Sequence, residues 1–217
     1  MSETVLVPGA RRVEATLDTP DGDADACVVA CPPHPQMRGH RGDARLTAVS
    51  DSLTERGSDS TGGVARADPG STDGVACLRF DYGEWDEGYG EREDARNALR
   101  WAAERYDSVA LYGFSFGGAI AALAAASTDV DLAAVALLAP ASRLADDLDA
   151  VAALDDVSCP ALVVYGERDT TADWEPLVER ARTLGLSVTA LSADHFFVGR
   201  HDDVASEIGG FLLEHLQ

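Results

Sequence analysis

Gly113-Phe114-Ser115-Phe116-Gly117 follows the apolar run Val109 to Tyr112 and leads through Gly118 into the alanine-rich run Ala119 to Ala126. The order is strand, tight turn, helix, with a serine at the apex. A G-x-S-x-G spacing at such a turn puts the serine backbone under strain. Side chains two residues either side would collide with the adjoining helix and strand, so glycine is required there. The turn lifts the hydroxyl above the end of a sheet. It also leaves backbone N–H groups at a helix N-terminus, where developing negative charge is stabilised. Ser115 is therefore the candidate nucleophile.

A serine at this kind of turn is followed along the chain first by its acid and then by its histidine. Pro160-Ala161-Leu162-Val163-Val164-Tyr165-Gly166 reads as a short buried strand that ends in Glu167-Arg168-Asp169. Asp169 thus falls just past the C-terminal end of a strand, where α/β sheets gather functional groups. Glu167, Asp173 and Asp194 are nearby rivals in an acid-rich chain. Leu186 to Leu191 is a further strand, and His195 sits in the loop after it. His34 and His40 precede the elbow and are in the wrong order to serve as base. His201 and His215 fall on the polar side of a terminal helix and are expected to be solvated. In this reading His195 takes the proton from Ser115, and Asp169 fixes its tautomer and stabilises the imidazolium.

These residues resemble the α/β-hydrolase superfamily, and more narrowly its small, lidless, dienelactone-hydrolase-like branch. Pro32-Pro33-His34-Pro35-Gln36-Met37-Arg38-Gly39 resembles that branch's His-Pro-His-Pro-x-x-Gly-Gly loop, with Pro32 in place of the first histidine. Leu78-Arg79-Phe80-Asp81-Tyr82-Gly83, continuing through Gly88-Tyr89-Gly90-Glu91 to Asp94, resembles its Arg-Phe-Asn-x-Arg-Gly…Gly-x-Gly-Glu-x-x-Asp pattern. The likeness spans most of the chain outside Gly57 to Gly74. Acyl transfer passes through a tetrahedral oxyanion that two backbone N–H groups must hold. Phe116 N–H, next to the nucleophile, is one. For the second, Gln36 and Met37 are the candidates, and analogy with the residue after the His-Gly pair of many relatives favours Gln36. His34, Met37 and Trp85 are candidate substrate contacts.

Composition narrows the partners. The chain has 217 residues, with 38 acids against 17 basic residues, all of them arginine, and a net charge of −21. Such a balance argues against nucleic acid and anionic membranes as partners. The composition resembles that of a haloarchaeal protein. In molar salt the Debye length falls to about 3 Å, so the acids solvate the surface without strong mutual repulsion. An acidic protein of a high-GC bacterium is the alternative. Cys27, Cys31, Cys77 and Cys159 show no C-x-x-C spacing and read as small core hydrophobes, with no metal site expected. The first residues have neither a basic region nor an apolar core, so no signal peptide and a cytoplasmic location are expected.

The resulting expectation is one α/β domain over 1–217, with a mostly parallel eight-stranded sheet and helices on both faces. Residues 57–74, mostly Gly, Ser, Thr and Asp with little to bury, read as a surface insertion. Between Pro140 and Cys159 there is room for only one short helix, around Arg143 to Leu154, so the lid is minimal or absent and the site open. The acidic loop Glu84 to Glu87 is expected to border it. The function expected is hydrolysis of a small carboxylic ester or thioester through an acyl-enzyme, without cofactor or metal. The serine argues against haloalkane dehalogenases and epoxide hydrolases, which use Asp, and against true dienelactone hydrolases, which use Cys. A small amide or peptide hydrolase, or a hydrolase-fold binding protein with little turnover, remains the alternative. Monomer and homodimer both stay open.

Overall fold

Residues Ala26–Cys31 are buried at every position, as a strand must be when helices cover both faces of its sheet. The computed structural model describes residues 1–55 and 74–216. Its elements, in chain order, are β1 (Ser2–Val7), β2 (Val13–Asp18), β3 (Ala26–Cys31), α1 (Ala44–Thr54), β4 (Ala76–Phe80), α2 (Tyr89–Ala103), β5 (Ser108–Phe114) and α3 (Phe116–Ala125). There follow β6 (Ala134–Leu138), β7 (Arg143–Ala145), β8 (Leu148–Asp149), α4 (Ala150–Ala153), β9 (Ala161–Gly166), α5 (Glu175–Leu184), β10 (Ser187–Leu191) and α6 (His201–His215). The insertion expected over Gly57 to Gly74 lies, apart from Gly74, outside the described residues.

Eight strands form one sheet in the order β1-β2-β4-β3-β5-β6-β9-β10. β1 pairs antiparallel with β2, and β2 with β4; the remaining six strands run parallel. One face is covered by α1 and α6 through Leu46, Val49, Leu53, Val204, Ile208 and Leu212. The other carries α2, α3 and α5, with Leu99, Ile120 and Leu177 in its core. Parallel strands place their C-terminal ends together, so the loops after β3, β5, β9 and β10 open on one rim.

Between β6 and β9 the chain departs from the single helix expected over Arg143 to Leu154. β7 and β8 form a small antiparallel hairpin, and only Ala150–Ala153 is α-helical. Asp149 is the reason. Its carboxylate accepts the N–H groups of Val151 and Ala152, which fixes the helix start at Ala150, and it pairs with Arg143 across the hairpin. No larger cap is present among the described residues.

A buried charge network ties the sheet to α1. The Asp18 carboxylate accepts hydrogen bonds from Arg79 Nε and Ser50 Oγ, both at 2.7 Å, and from Ser2 Oγ. Burial pushes the Asp18 carboxyl up, but the hydrogen bonds from Arg79, Ser2 and Ser50 and the Arg79 charge outweigh it, and the result lies below the ordinary value. A depressed carboxyl contributes stability that is present above its unfolded pKa and lost as pH falls through the folded one. Asp18→Ala leaves Arg79 buried without its counter-charge, a cost of about 3 kcal/mol at pH 7. Urea unfolding of both forms from pH 7 down to pH 3 is expected to show the gap narrowing with acid; a gap independent of pH would refute the assignment.

Candidate active site

The elbow is built by backbone collisions that only glycine avoids. A Cβ at Gly113 would lie 2.1 Å from the Gly117 carbonyl oxygen, and one at Gly117 would lie 2.3 Å from the carbonyl oxygens of both Cys31 and Pro32. Ser115 at the apex has φ 58° and ψ −118°, a conformation side chains rarely adopt. Its N–H donates to the Leu138 carbonyl at 2.8 Å, and its own carbonyl accepts from Gly118 and Ala119 as α3 begins. The strain is thus held by β6 on one side and by α3 on the other.

His195 and Asp169 reach this serine from two later loops. The Ser115 hydroxyl lies 2.9 Å from His195 Nε2, and His195 Nδ1 lies 2.7 Å from Asp169 Oδ2. The other Asp169 oxygen accepts the N–H groups of Thr171 and Ala172 at 2.8 and 3.1 Å. The carboxylate is thus an acceptor in three hydrogen bonds, and Nδ1 must carry the proton it donates to Asp169, leaving Nε2 to face the serine. Asp169 and His195 are both buried, which keeps water from competing for these bonds. Of the rival acids, Glu167 is exposed and Asp194 instead accepts the Phe196 N–H.

The loop after β3 differs from its sequence reading in one detail. Gln36 N–H is not available to a substrate: it donates to His34 Nδ1 at 3.2 Å inside a 3₁₀ turn over Pro35–Met37. Met37 and Gly39 N–H both donate to the His34 carbonyl, and Arg38 N–H to that of Pro35. Pro32, Pro33 and Pro35 have no N–H to offer. Between Pro32 and Gly39, the one amide without an acceptor among the described residues is that of His34. Phe116 opens α3, so its N–H has no acceptor within the helix either.

Two cavities, of about 250 and 270 Å³, meet at Ser115 and share His34, Met37, Thr171 and His195 as walls. The first extends to Arg38, Asp43, Arg45 and Phe196, the second to Phe116, Ser142, Leu144 and Asp173. Met37 is 80% exposed and forms an apolar rim. Burial pushes the His34 imidazole below its ordinary pKa, against a smaller opposing pull from Glu91, so it is neutral near pH 7. Trp85 lies behind the cavities: its ring sits 4.6 Å from His34 and 5.6 Å from Phe116. Glu84, Asp86 and Glu87 line neither cavity. The Glu91 carboxylate and Arg11 hold their loop, taking the N–H groups of Asp86 and Gly88 and the Glu84 carbonyl.

Arg45 was silent in the sequence. Its guanidinium pairs with Asp43, donates to the Phe196 carbonyl at 3.2 Å and lies 4.5 Å from the centre of the Phe114 ring. It joins α1, the elbow strand and the histidine loop. Ser142, also unremarked in the sequence, is buried beside the second cavity with its hydroxyl unpartnered among the described residues. The terminal histidines are less solvated than expected: His201 and His215 are half-buried, and His215 stacks on Phe211. All four cysteines are free, three of them buried. No described helix is long and apolar enough to cross a membrane, and the described residues form no metal-binding cluster.

The sequence model of the X-Pro dipeptidyl-peptidase (S15) family matches residues 79–153, a stretch that includes Ser115 but neither Asp169 nor His195. No curated protein matches the chain. Among solved structures, an alpha-beta serine hydrolase homologue from Coxiella burnetii is 25% identical, with 97% of each chain covered and a TM-score of 0.77. A serine hydrolase without lid from Xanthomonas campestris is 21% identical over 99% of this chain and 95% of its own, with a TM-score of 0.76. A dienelactone hydrolase from Anabaena variabilis is 19% identical over 100% and 99%, with a TM-score of 0.72. With its eight-stranded sheet, its strained serine turn and only a hairpin where a lid would stand, the chain has the α/β-hydrolase fold in the lidless form of these serine hydrolases.

Proposed function

We propose that the protein is a serine hydrolase that cleaves a small carboxylic ester or thioester through an acyl-enzyme. The observation that carries this is the continuous hydrogen-bonded line from Ser115 Oγ through His195 to Asp169. Ser115 Oγ attacks the carbonyl carbon as its proton passes to His195 Nε2. The oxyanion is received by the N–H groups of Phe116 and, in place of Gln36, His34. Collapse breaks the bond to the alcohol or thiol, which leaves with the proton held on Nε2. Water then gives its proton to Nε2 and attacks the acyl carbon, releasing the acid and Ser115. Asp169 stays ionised throughout and holds the ring in its productive tautomer. The small cavities on either side of Ser115 suit a short acyl group and a compact leaving group.

The match to a peptidase family over the elbow favours a second reading, a small amide or peptide hydrolase. Both share the nucleophile and differ in the protonation an amine leaving group demands. The first test is labelling with a fluorophosphonate probe, in high potassium chloride, of the wild type and Ser115→Ala. Wild-type labelling that disappears in the variant is expected. A folded wild type that takes no label refutes the activated serine and leaves a binding protein as the reading. Short-chain esters, thioesters and X-Pro anilides, assayed side by side, then separate ester from amide cleavage.

A further inference from the structure

The two cavities at Ser115 differ in charge. In the first, Asp43 is neutralised by Arg45. In the second, Arg143 is neutralised by Asp149. Arg38, on the wall of the first cavity with Ser115 and His195, makes no ion pair and no side-chain hydrogen bond to any described residue. Three other described arginines, Arg92, Arg168 and Arg182, also lack a carboxylate partner, but none of them lines a cavity at Ser115.

The backbone at this position adds an independent observation. Arg38 has φ 65° and ψ 22°, the left-handed conformation that costs any residue with a Cβ. Glycine would adopt it freely. The turn itself is fixed by Gly39, where a Cβ would lie 2.1 Å from the Pro33 carbonyl oxygen. An arginine is therefore held at strain, on a rigid turn, at the mouth of the reaction centre. Strained side chains persist where their placement serves the site.

We infer that the substrate carries a carboxylate remote from its scissile carbonyl, and that Arg38 binds it. The inference rests on the serine-hydrolase reading above and adds the substrate's charge. A planar guanidinium with five donors pairs readily with a carboxylate.

The test compares kcat/KM for charged and neutral esters of equal length on wild type, Arg38→Gly and Arg38→Lys. One pair puts the carboxylate on the acyl side: the 4-nitrophenyl half-ester of glutarate against 4-nitrophenyl pentanoate. The other puts it on the leaving group: 4-acetoxybenzoate against 4-methylphenyl acetate. In one of the two pairs the charged-to-neutral ratio is expected to fall about fivefold or more in Arg38→Gly, with Arg38→Lys in between. Melting curves accompany the assay, and glycine relieves strain at this position, so misfolding does not mimic the result. A ratio unchanged within about twofold in both pairs, with the neutral esters turned over, overturns the role of Arg38 alone. A wild type that turns over no ester of either pair and takes no fluorophosphonate overturns the hydrolase reading and this inference together.

Discussion

Asp169→Asn is expected to lower kcat about 10⁴-fold while the protein stays folded, because the substitution forces the wrong histidine tautomer. The orientation of the new amide is not free. Thr171 and Ala172 point two N–H groups at one oxygen of residue 169. The asparagine must keep its oxygen there and turn its NH₂ toward His195 Nδ1. That nitrogen becomes an acceptor, Nε2 takes the proton, and the ring faces Ser115 with a donor where it needs a lone pair. Steady-state kinetics with a good ester substrate, beside a melting curve, measures both halves. A variant with more than about a tenth of wild-type kcat would show that Asp169 does not set the tautomer.

Gly117→Ala is expected to cost more than about 3 kcal/mol and to lower the melting temperature by roughly 10 °C. The added methyl group would lie 2.3 Å from two carbonyl oxygens, those of Cys31 and Pro32, and 2.8 Å from the Cys31 carbonyl carbon. All three are backbone atoms, so no rotamer change relieves the clash. Either α3 moves away from the loop after β3 or that loop yields. Both separate Phe116 N–H from His34 N–H, so kcat should fall along with stability. Gly210, within α6 and with nothing inside 4 Å of an added Cβ, is the control. Gly210→Ala should be neutral or slightly stabilising, since alanine favours a helix by up to about 1 kcal/mol. If Gly117→Ala melts with the wild type, the packing described for the elbow is incorrect.

The sheet and the turn were legible because their signals are local. β3, β5, β6 and β9 are short apolar runs ended by turn residues, and the elbow's glycines sit two residues from its serine. Asp169 and His195 could be named because each follows such a run directly. We propose His34 in place of Gln36 as the second oxyanion donor, a choice the sequence does not offer because it does not show which loop amides a 3₁₀ turn consumes. That turn depends on the His34 side chain folding back onto Gln36 N–H. The hairpin over Arg143–Asp149 escaped for a related reason. Its residues suit a helix, and only the position of the Asp149 cap moves the helix start downstream. Arg38 and Arg45 carry no local signal. Their roles depend on a left-handed turn and on a contact spanning 151 residues, neither of which a linear reading contains.

That long contact bears on when a newly made chain becomes competent. The elbow and the loop after β3 are complete only once β6 has formed, and His195 arrives later still, with the segment between β10 and α6. α6 packs on α1, and Arg45 at the start of α1 holds the carbonyl of Phe196 beside the histidine. Synthesis delivers the N-terminal part first, so a polypeptide released short of β10 would carry a strained serine with no base to activate it. On the proposed reading, Ser115 therefore gains its base only when α6 closes on α1, so the hydroxyl is armed by a contact between distant parts of the chain.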